Sequence, residues 1–225
     1  LVLLNDVSKS MDESEYALVK AGYRAAVSDP DVIAALIGNS DGVAVAYVEF
    51  SGADEIALVR DWEVLTDAAS AQAFGEAIAA APRSSAGNTA LSAGLAAAAR
   101  MLSEGDFAGA RRVIDIASDH PSDGGRSAAI RGAAVEAGIT INALSIIDGR
   151  QMGTIDGRLP YATAAWGNET VAELEVRNVG GGPGSLAVGA RDYAVFGEAL
   201  KRKLLLEFIA KPGSANAVFS LATAD

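Results

Sequence analysis

Cysteine is absent from this chain of 225 residues, and histidine occurs once, at His120. The lack of cysteine excludes disulfides, thiolate zinc sites and cysteine nucleophiles, and it leaves the redox compartment undetermined. One histidine cannot form a metal site built from several imidazoles. A metal site in this chain would therefore need other ligands.

Basic residues are also scarce, because 18 lysines and arginines stand against 29 aspartates and glutamates and leave a net charge of −11. This charge repels phosphate backbones and anionic membrane surfaces, so nucleic acid is not an expected partner. Half of the residues are apolar, yet no apolar run reaches the roughly 18–20 residues that span a bilayer. We therefore expect no membrane span and one well-buried domain.

Apolar runs alternate with helical patterns along the chain. Strands are predicted at 1–4, 43–50, 55–60, 111–118, 139–147 and 186–188, and helices at 12–27, 30–36, 68–81, 89–103, 125–137 and 192–209. The strand at 55–60 follows its predecessor closely enough to form an antiparallel hairpin. The pattern predicts an α/β fold: a doubly wound, Rossmann-like, mostly parallel sheet with one antiparallel edge strand and helices on both faces.

Two segments do not follow this alternation. Residues 148–184 are glycine-rich and are interpreted as an elaborated loop insertion within one domain at 1–210, and the glycines at 180–184 are interpreted as a turn. Residues 211–225 are interpreted as a C-terminal tail, whose mildly apolar part at 217–222 could pack against the domain.

Oxygen-bearing side chains follow the first predicted strand at a spacing of two. Asp6, Ser8 and Ser10 would point to the same side of an extended segment, and hard divalent cations prefer such oxygen ligands. Thr89, at a predicted helix start, and Asp119, directly after a predicted strand, should lie at the same edge of the sheet. These five residues are the candidate metal ligands.

This pattern resembles the metal-ion-dependent adhesion site (MIDAS) of von Willebrand factor A domains. The motif is Asp6-Val7-Ser8-Lys9-Ser10 after the first strand, followed by a loop threonine and by an aspartate after a later strand. Further segments are similar to a bacterial branch of that superfamily, and the likeness covers about residues 1–209: Asp12-Glu13-Ser14-Glu15-Tyr16, Val45-Ala46-Tyr47-Val48-Glu49, Arg111-Arg112-Val113-Ile114-Asp115, Ala137-Gly138-Ile139-Thr140-Ile141-Asn142 and Gly181-Gly182-Pro183-Gly184.

The resemblance implies roles for the five residues. Ser8, Ser10 and Thr89 would contact the metal directly, and Asp6 and Asp119 would balance its charge directly or through water. The implied cation is Mg²⁺, with Mn²⁺ or Ca²⁺ as alternatives. The implied partner is another protein whose carboxylate completes the site, and the chain could be a non-catalytic subunit of a larger assembly.

The resemblance also implies a periplasmic or extracellular location. The chain starts at Leu1 and not at a methionine, so a signal peptide is expected to have been removed. Two departures from the superfamily stand beside the site: Lys9 precedes the second serine where glycine is common, and His120 follows Asp119 where glycine is common.

Simpler roles exist for single residues. Ser10 could be the N-cap of the first helix, Thr89 the cap of its own helix, and Asp119 a turn residue. Asp115, inside an apolar strand, is interpreted as a hydrogen-bonded structural carboxylate, with support of the metal site as the alternative. Trp62 is interpreted as a packing residue, as is Trp166, although either could anchor a partner if it were exposed.

The sequence is also compatible with two functions other than cation-dependent protein binding. The chain has no recognisable nucleophile or general-base constellation, which favours a protein that is not an enzyme. A metal-dependent hydrolase acting on phosphoesters would have only Lys9, His120 and Asp123 to assist the cation. The third possibility is a structural subunit with a vestigial metal site.

Overall fold

The described residues form seven strands of a single sheet. The computed structural model describes residues 1–38, 42–105, 107, 111–119, 125–146, 179–209 and 217–220. The strands are β1 (Val2–Asp6), β2 (Val43–Phe50), β3 (Ile56–Leu65), β4 (Arg112–Ser118), β5 (Ile139–Ile146), β6 (Leu186–Ala190) and β7 (Ala217–Ser220).

The strand order is β3-β2-β1-β4-β5-β6-β7. Every neighbouring pair is parallel except β2 with β3, which is antiparallel. After β1 the chain builds one half of the sheet and then returns to build the other, so the topological switch point lies between β1 and β4. Ligands of doubly wound sheets bind at the carboxyl ends of the strands at such a point.

Helices cover the strand connections: α1 (Glu13–Val27), α2 (Pro30–Gly38), α3 (Ala68–Ala80), α4 (Leu91–Glu104), α5 (Gly125–Glu136) and α6 (Phe196–Ile209), the last preceded by a 3₁₀ turn at Tyr193–Val195. Asp12 is the N-cap of α1 and forms a capping box with Glu15. The Asp12 side chain accepts a hydrogen bond from the backbone N–H of Glu15, and the Glu15 side chain accepts one from the backbone N–H of Asp12. Asp67 and Ser70 form a similar box at α3. These local bonds satisfy backbone N–H groups that a helix start leaves without partners.

The sheet buries two separate apolar layers. One face packs against α1, α2, α3 and α6, and the opposite face packs against α4 and α5. On β4 the alternation is visible residue by residue, because Val113 and Ala117 belong to the first layer and Ile114 and Ile116 to the second. Both faces are covered, which explains why the central strands are continuous apolar runs.

The predicted fold class is confirmed: an α/β sheet, mostly parallel, with one antiparallel edge pair and helices on both faces. The edge strand β3 extends further than the predicted 55–60. The predicted turn before β6 is also confirmed, with positive φ angles at Gly182 and Gly184 that favour glycine.

The C-terminal segment adds a strand that the sequence pattern did not predict. Strand β7 lies within the segment interpreted as a tail and pairs in parallel with β6. Residues 148–178 of the predicted insertion lie outside the described residues, and the domain limit at 210 stays a prediction. None of the helices in the described part combines the length and apolar character needed to cross a membrane.

Candidate metal site

Asp6 is the last residue of β1, and its carboxylate lies at the switch point of the sheet. Its Oδ1 accepts a hydrogen bond from the backbone N–H of Ser8 at 2.9 Å, and its Oδ2 accepts one from Ser118 Oγ at 2.7 Å. Only 1% of Asp6 is exposed. The loop that follows β1 and the end of β4 are thus joined through one buried carboxylate.

Hydroxyl groups connect this carboxylate region to Asp119. Thr89 Oγ1 donates to Ser8 Oγ at 2.9 Å, Ser8 Oγ and Ser10 Oγ are 3.1 Å apart, and Ser10 Oγ donates to Asp119 Oδ1 at 3.1 Å. The structure therefore brings all five predicted ligands together, although they come from three distant parts of the chain.

The capping alternatives for two of these residues are wrong. The N-cap of α1 is Asp12 and not Ser10. Residue Ala90, not Thr89, stands at the N-cap of α4, and it makes no side-chain capping bond. Both hydroxyls instead point into the cluster, where they bond to side chains of other loops.

The two carboxylates make the cluster electrostatically unfavourable without a cation. Burial and, to a lesser extent, the negative charge of Asp119 together raise the pKa of Asp6 to about 6, against the lowering effect of hydrogen bonds from Ser118 and Ser8. A positive charge placed between the two carboxylates would reverse this repulsion.

The donor set fits a hard divalent cation. Within the described ranges, no group of three or more histidine, cysteine, aspartate or glutamate side chains is arranged to hold a metal. The candidate site differs from such a group because it has only two carboxylates, and three of its oxygens are hydroxyls of Ser8, Ser10 and Thr89. Two carboxylates and several neutral oxygens suit Mg²⁺, which keeps part of its water shell when bound to proteins.

Three further residues, which the sequence motif does not include, hold the cluster in place. Ser118 donates to Asp6, and Tyr193 OH donates to Asp119 Oδ2 at 2.9 Å. Burial and the adjacent charge of Asp119 hold the pKa of Tyr193 well above its usual range, so the phenol stays a donor. Ser118 could have been inferred from its position beside Asp119, whereas Tyr193 is 74 residues away along the chain.

Arg83 is the third residue, and it holds the loop after β1 through backbone carbonyls. Its guanidinium donates to the carbonyl oxygens of Val7 at 2.9 Å, Ser8 at 2.8 Å and Met11 at 2.8 Å. A lone arginine between α3 and α4 carries no sequence signal for this role. The connection that supplies Thr89 therefore also fixes the backbone that presents Ser8.

The buried ion pair of Glu49 with Lys20 also holds the connection between α3 and α4 in place. Glu49 on β2 accepts from Tyr16 OH at 2.9 Å, Lys20 Nζ at 3.1 Å and Tyr47 OH at 3.2 Å through its Oε1. Its Oε2 accepts from the backbone N–H of Ser84 at 3.0 Å. Each Glu49 oxygen has a partner, as a buried carboxylate requires.

Three other residues that the sequence singled out, Asp115, Lys9 and Trp62, have described surroundings. The expectation that Asp115 is hydrogen-bonded is wrong for the described residues: neither carboxylate oxygen has a hydrogen-bond partner among them, and Asp115 is instead in contact with Lys203 of α6. Lys9 is exposed, and its backbone N–H donates to Gly87 O at 2.9 Å. His120, Asp123 and Trp166 lie outside the described residues. Trp62 is half-buried on β3 and packs near Phe107, with ring centroids 5.6 Å apart.

The described part of the chain has a von Willebrand factor A-like fold. The model of a family described as "Protein of unknown function (DUF1194)" matches residues 1–212, and the chain belongs to this family. No curated protein is similar enough to the chain to count as a match.

Solved structures share the fold at low sequence identity. A von Willebrand factor type A protein from Catenulispora acidiphila is 18% identical, with a TM-score of 0.57 over 91% of this chain and 41% of that one. Proximal thread matrix protein 1 of the mussel byssus, with a zinc-occupied MIDAS motif, is 17% identical, with a TM-score of 0.58 over 94% of this chain and 46% of that one.

A pilus adhesin, SpaC from Lactobacillus rhamnosus GG, is 16% identical, with a TM-score of 0.61 over 91% of this chain and 30% of the adhesin. The chain thus spans less than half the length of each of these three proteins. Their names describe a matrix protein, an adhesin and a von Willebrand factor A protein, and the likeness to them shows the fold.

Proposed function

We propose that this domain binds another protein in a manner that depends on a divalent cation, preferably Mg²⁺, held by Asp6, Ser8, Ser10, Thr89 and Asp119. The observation that carries the proposal is the continuous hydrogen-bond chain from Thr89 through Ser8 and Ser10 to Asp119. A cation would replace these mutual contacts among donor oxygens.

The charge of the donor set supports a partner carboxylate as the remaining ligand. Asp6 and Asp119 neutralise a 2+ ion between them, and the hydroxyl ligands add no further negative charge. Such an ion stays electrophilic toward an additional anionic oxygen. The bound cation would supply this attraction, while the protein side chains orient it and exclude water from its buried side.

The proposal includes a non-catalytic role and a location outside the cytoplasm. One structural neighbour is a pilus adhesin and another a byssus matrix protein with zinc in its MIDAS motif. By analogy, we assign this domain to the periplasm or the cell exterior, as a subunit of a larger assembly.

Metal titration by calorimetry tests the site. Wild-type protein should bind Mg²⁺ or Mn²⁺, and Asp6→Ala and Ser8→Ala should lose binding while circular dichroism shows an unchanged fold. Ser103→Ala on α4, where the exposed hydroxyl bonds Ala99 O of its own helix, is the matched control and should bind as wild type. Unchanged binding in both site variants would refute the assigned ligands.

Pull-down with and without chelator tests the function. Retention of a partner only in Mg²⁺, and its loss in Asp6→Ala, would support the proposal. Full retention in excess chelator would instead indicate a structural subunit. Turnover of generic phosphoesters in Mg²⁺ that disappears in Asp6→Ala would indicate a hydrolase and overturn the non-catalytic assignment.

A further inference from the structure

Lys203 and Asp115 meet in the apolar interior, away from the metal site. Lys203 lies on α6 and is 0% exposed, and Asp115 lies on the central strand β4 and is 2% exposed. Lys203 Nζ is in contact with Asp115 Oδ1. The neighbours of Asp115 along the same face of β4 are Val113 and Ala117, both in the apolar layer.

The contact lacks the features of a stable buried ion pair. Within the described part of the chain, Lys203 Nζ and both carboxylate oxygens of Asp115 are buried without a hydrogen-bond partner. A lysine ammonium has three protons to donate, and a carboxylate has about four acceptor positions. Buried charges in such surroundings are costly unless further hydrogen bonds satisfy them. An amide formed from the same two side chains would have only one N–H and one carbonyl oxygen in need of hydrogen bonds.

A second carboxyl group is fixed beside this pair. Glu207 lies one helical turn after Lys203, on the same side of α6, and is 2% exposed. Its Oε2 accepts from Asn142 Nδ2 at 2.8 Å, and Asn142 is the register partner of Asp115 on β5. Asn142 Oδ1 in turn accepts from the backbone N–H of Leu186 at 2.9 Å. The fold thus places an amine and two carboxyl groups together in an apolar region.

The amine is suited to act as a nucleophile. Burial lowers the pKa of Lys203 to about 7, against the opposing effect of the negative charge of Glu207. A neutral amine has the free electron pair that attacks a carbonyl carbon.

We propose that Lys203 and Asp115 join in an intramolecular isopeptide bond, with Glu207 as the proton relay. The Nζ electron pair of neutral Lys203 attacks Cγ of the protonated Asp115 carboxyl group. Glu207 accepts a proton from Nζ and returns it to a hydroxyl of the tetrahedral intermediate. The C–O bond breaks, one water molecule leaves, and a secondary amide remains. No oxidant, reductant or further reactant is needed.

The fold supplies the driving force for this condensation. Amine and acid are held in contact by packed elements, and such positioning replaces an encounter in solution with an effectively unimolecular step. The apolar surroundings disfavour the separated charges and favour the neutral amide. The product ties the C-terminal helix α6 to the central strand β4.

Intact-mass spectrometry of the full chain under denaturing conditions tests the proposal. The wild-type mass is expected to be lower than the sequence mass by one water molecule, and fragmentation of a digest should give a branched peptide joining Lys203 to Asp115. A wild-type mass equal to the sequence mass would overturn the proposal, because an ion pair does not survive denaturation.

Variants assign the roles. Glu207→Gln preserves an acceptor for Asn142 and should show the full sequence mass, as should Lys203→Arg. Lys201→Arg on the same helix, where Lys201 pairs with Asp29 and Asp31, is the matched control and should keep the loss of water. Asp115→Asn should lose ammonia instead and reach the same product mass as wild type. Retention of the full mass loss in Lys203→Arg would place the bond elsewhere and overturn the proposal.

Discussion

At the scale of single residues, Asp6 shows a conflict between stability and the proposed function. The carboxylate is buried and faces the charge of Asp119, which together raise its pKa to about 6. Without a cation, keeping it ionised at neutral pH costs folding free energy. Proteins retain such unfavourable groups at functional sites, where a ligand offsets the cost.

Replacing Asp6 with asparagine should therefore have opposite effects with and without metal. In chelator at pH 7, Asp6→Asn removes a buried charge and should raise the free energy of unfolding by on the order of 1–3 kcal/mol. With saturating Mg²⁺ the wild type should be the more stable protein, because only it binds the ion. Urea unfolding followed by circular dichroism measures both values.

The control for this pair of measurements is Asp67→Asn. Asp67 is an exposed N-cap of α3, and asparagine caps a helix about as well as aspartate. The free energy of unfolding of Asp67→Asn should equal that of the wild type both in chelator and in saturating Mg²⁺. A loss of stability for Asp6→Asn in chelator would contradict the account of Asp6 as an electrostatically penalised group.

At the scale of elements, the site depends on contacts between loops that are far apart in sequence. Arg83 lies between α3 and α4 and binds three carbonyl oxygens of the loop after β1, including that of Ser8. The planar guanidinium can donate several hydrogen bonds in fixed directions, which a lysine cannot reproduce. The backbone that presents Ser8 is therefore positioned by another connection.

Arg83→Lys should weaken Mg²⁺ binding without removing a ligand atom. Residues that orient metal ligands typically contribute 10–100-fold to affinity, so the Kd from calorimetry should rise by about that factor. Arg24→Lys is the matched control, because Arg24 is exposed and pairs across the surface with Glu76. Equal affinities for the two variants would show that Arg83 does not position the loop.

Local patterns explain which elements were predictable. Strands β1, β4 and β5 are mostly apolar and contain β-branched residues, and the start of α1 carries its own capping signal at Asp12, so each could be located from nearby residues. The proposed ligands Asp6, Ser8 and Ser10 stand at or just after the end of β1 at a spacing of two, so they too could be located from nearby residues.

The remaining contacts could not be inferred from local patterns. Arg83 acts on backbone atoms at sequence separations of 72 to 76 residues, and the partner of Asp115 is a lysine on the last described helix. Backbone carbonyls are present at every residue, so no residue type marks where such a contact will form. Strand β7 has only four residues, which is too short for a strand pattern to be recognised in the sequence.

Helix packing provides a prediction of its own, because α1 and α6 approach each other through glycines. A Cβ atom added at Gly22 would lie 2.6 Å from Phe196 Cδ1 and 3.0 Å from Gly197 Cα. Gly22→Ala should therefore destabilise the protein by roughly 1–3 kcal/mol, as overpacking does in other cores. Urea unfolding measures the change.

Gly132 on α5 is the matched comparison, because a Cβ added there would meet nothing within 4 Å. Alanine favours helix more than glycine does, so Gly132→Ala should stabilise the protein by about 0.5–1 kcal/mol. If both substitutions changed stability in the same direction, close glycine packing between α1 and α6 would not be the cause.

At the scale of the whole molecule, the candidate site joins parts of the chain that fold onto both faces of the sheet. The loop after β1 leads to α1 on one face, and Thr89 leads into α4 on the other. Tyr193, just before α6, bonds to Asp119. A cation at this point would connect three segments that the unfolded chain keeps apart, so its binding free energy should appear as global stability.

Mg²⁺ should consequently raise the melting temperature of the whole domain in one cooperative transition. At a concentration 100 times Kd, the expected stabilisation is about 2.7 kcal/mol, and domains of this size shift by roughly 2–4 °C per kcal/mol. The chain carries a net charge of −11, so added salt alone also relieves repulsion by screening. Calorimetric scans in KCl of matched ionic strength separate the two effects. A shift in Mg²⁺ that KCl reproduces, or that Asp6→Asn retains, would be general screening and would contradict binding at the site.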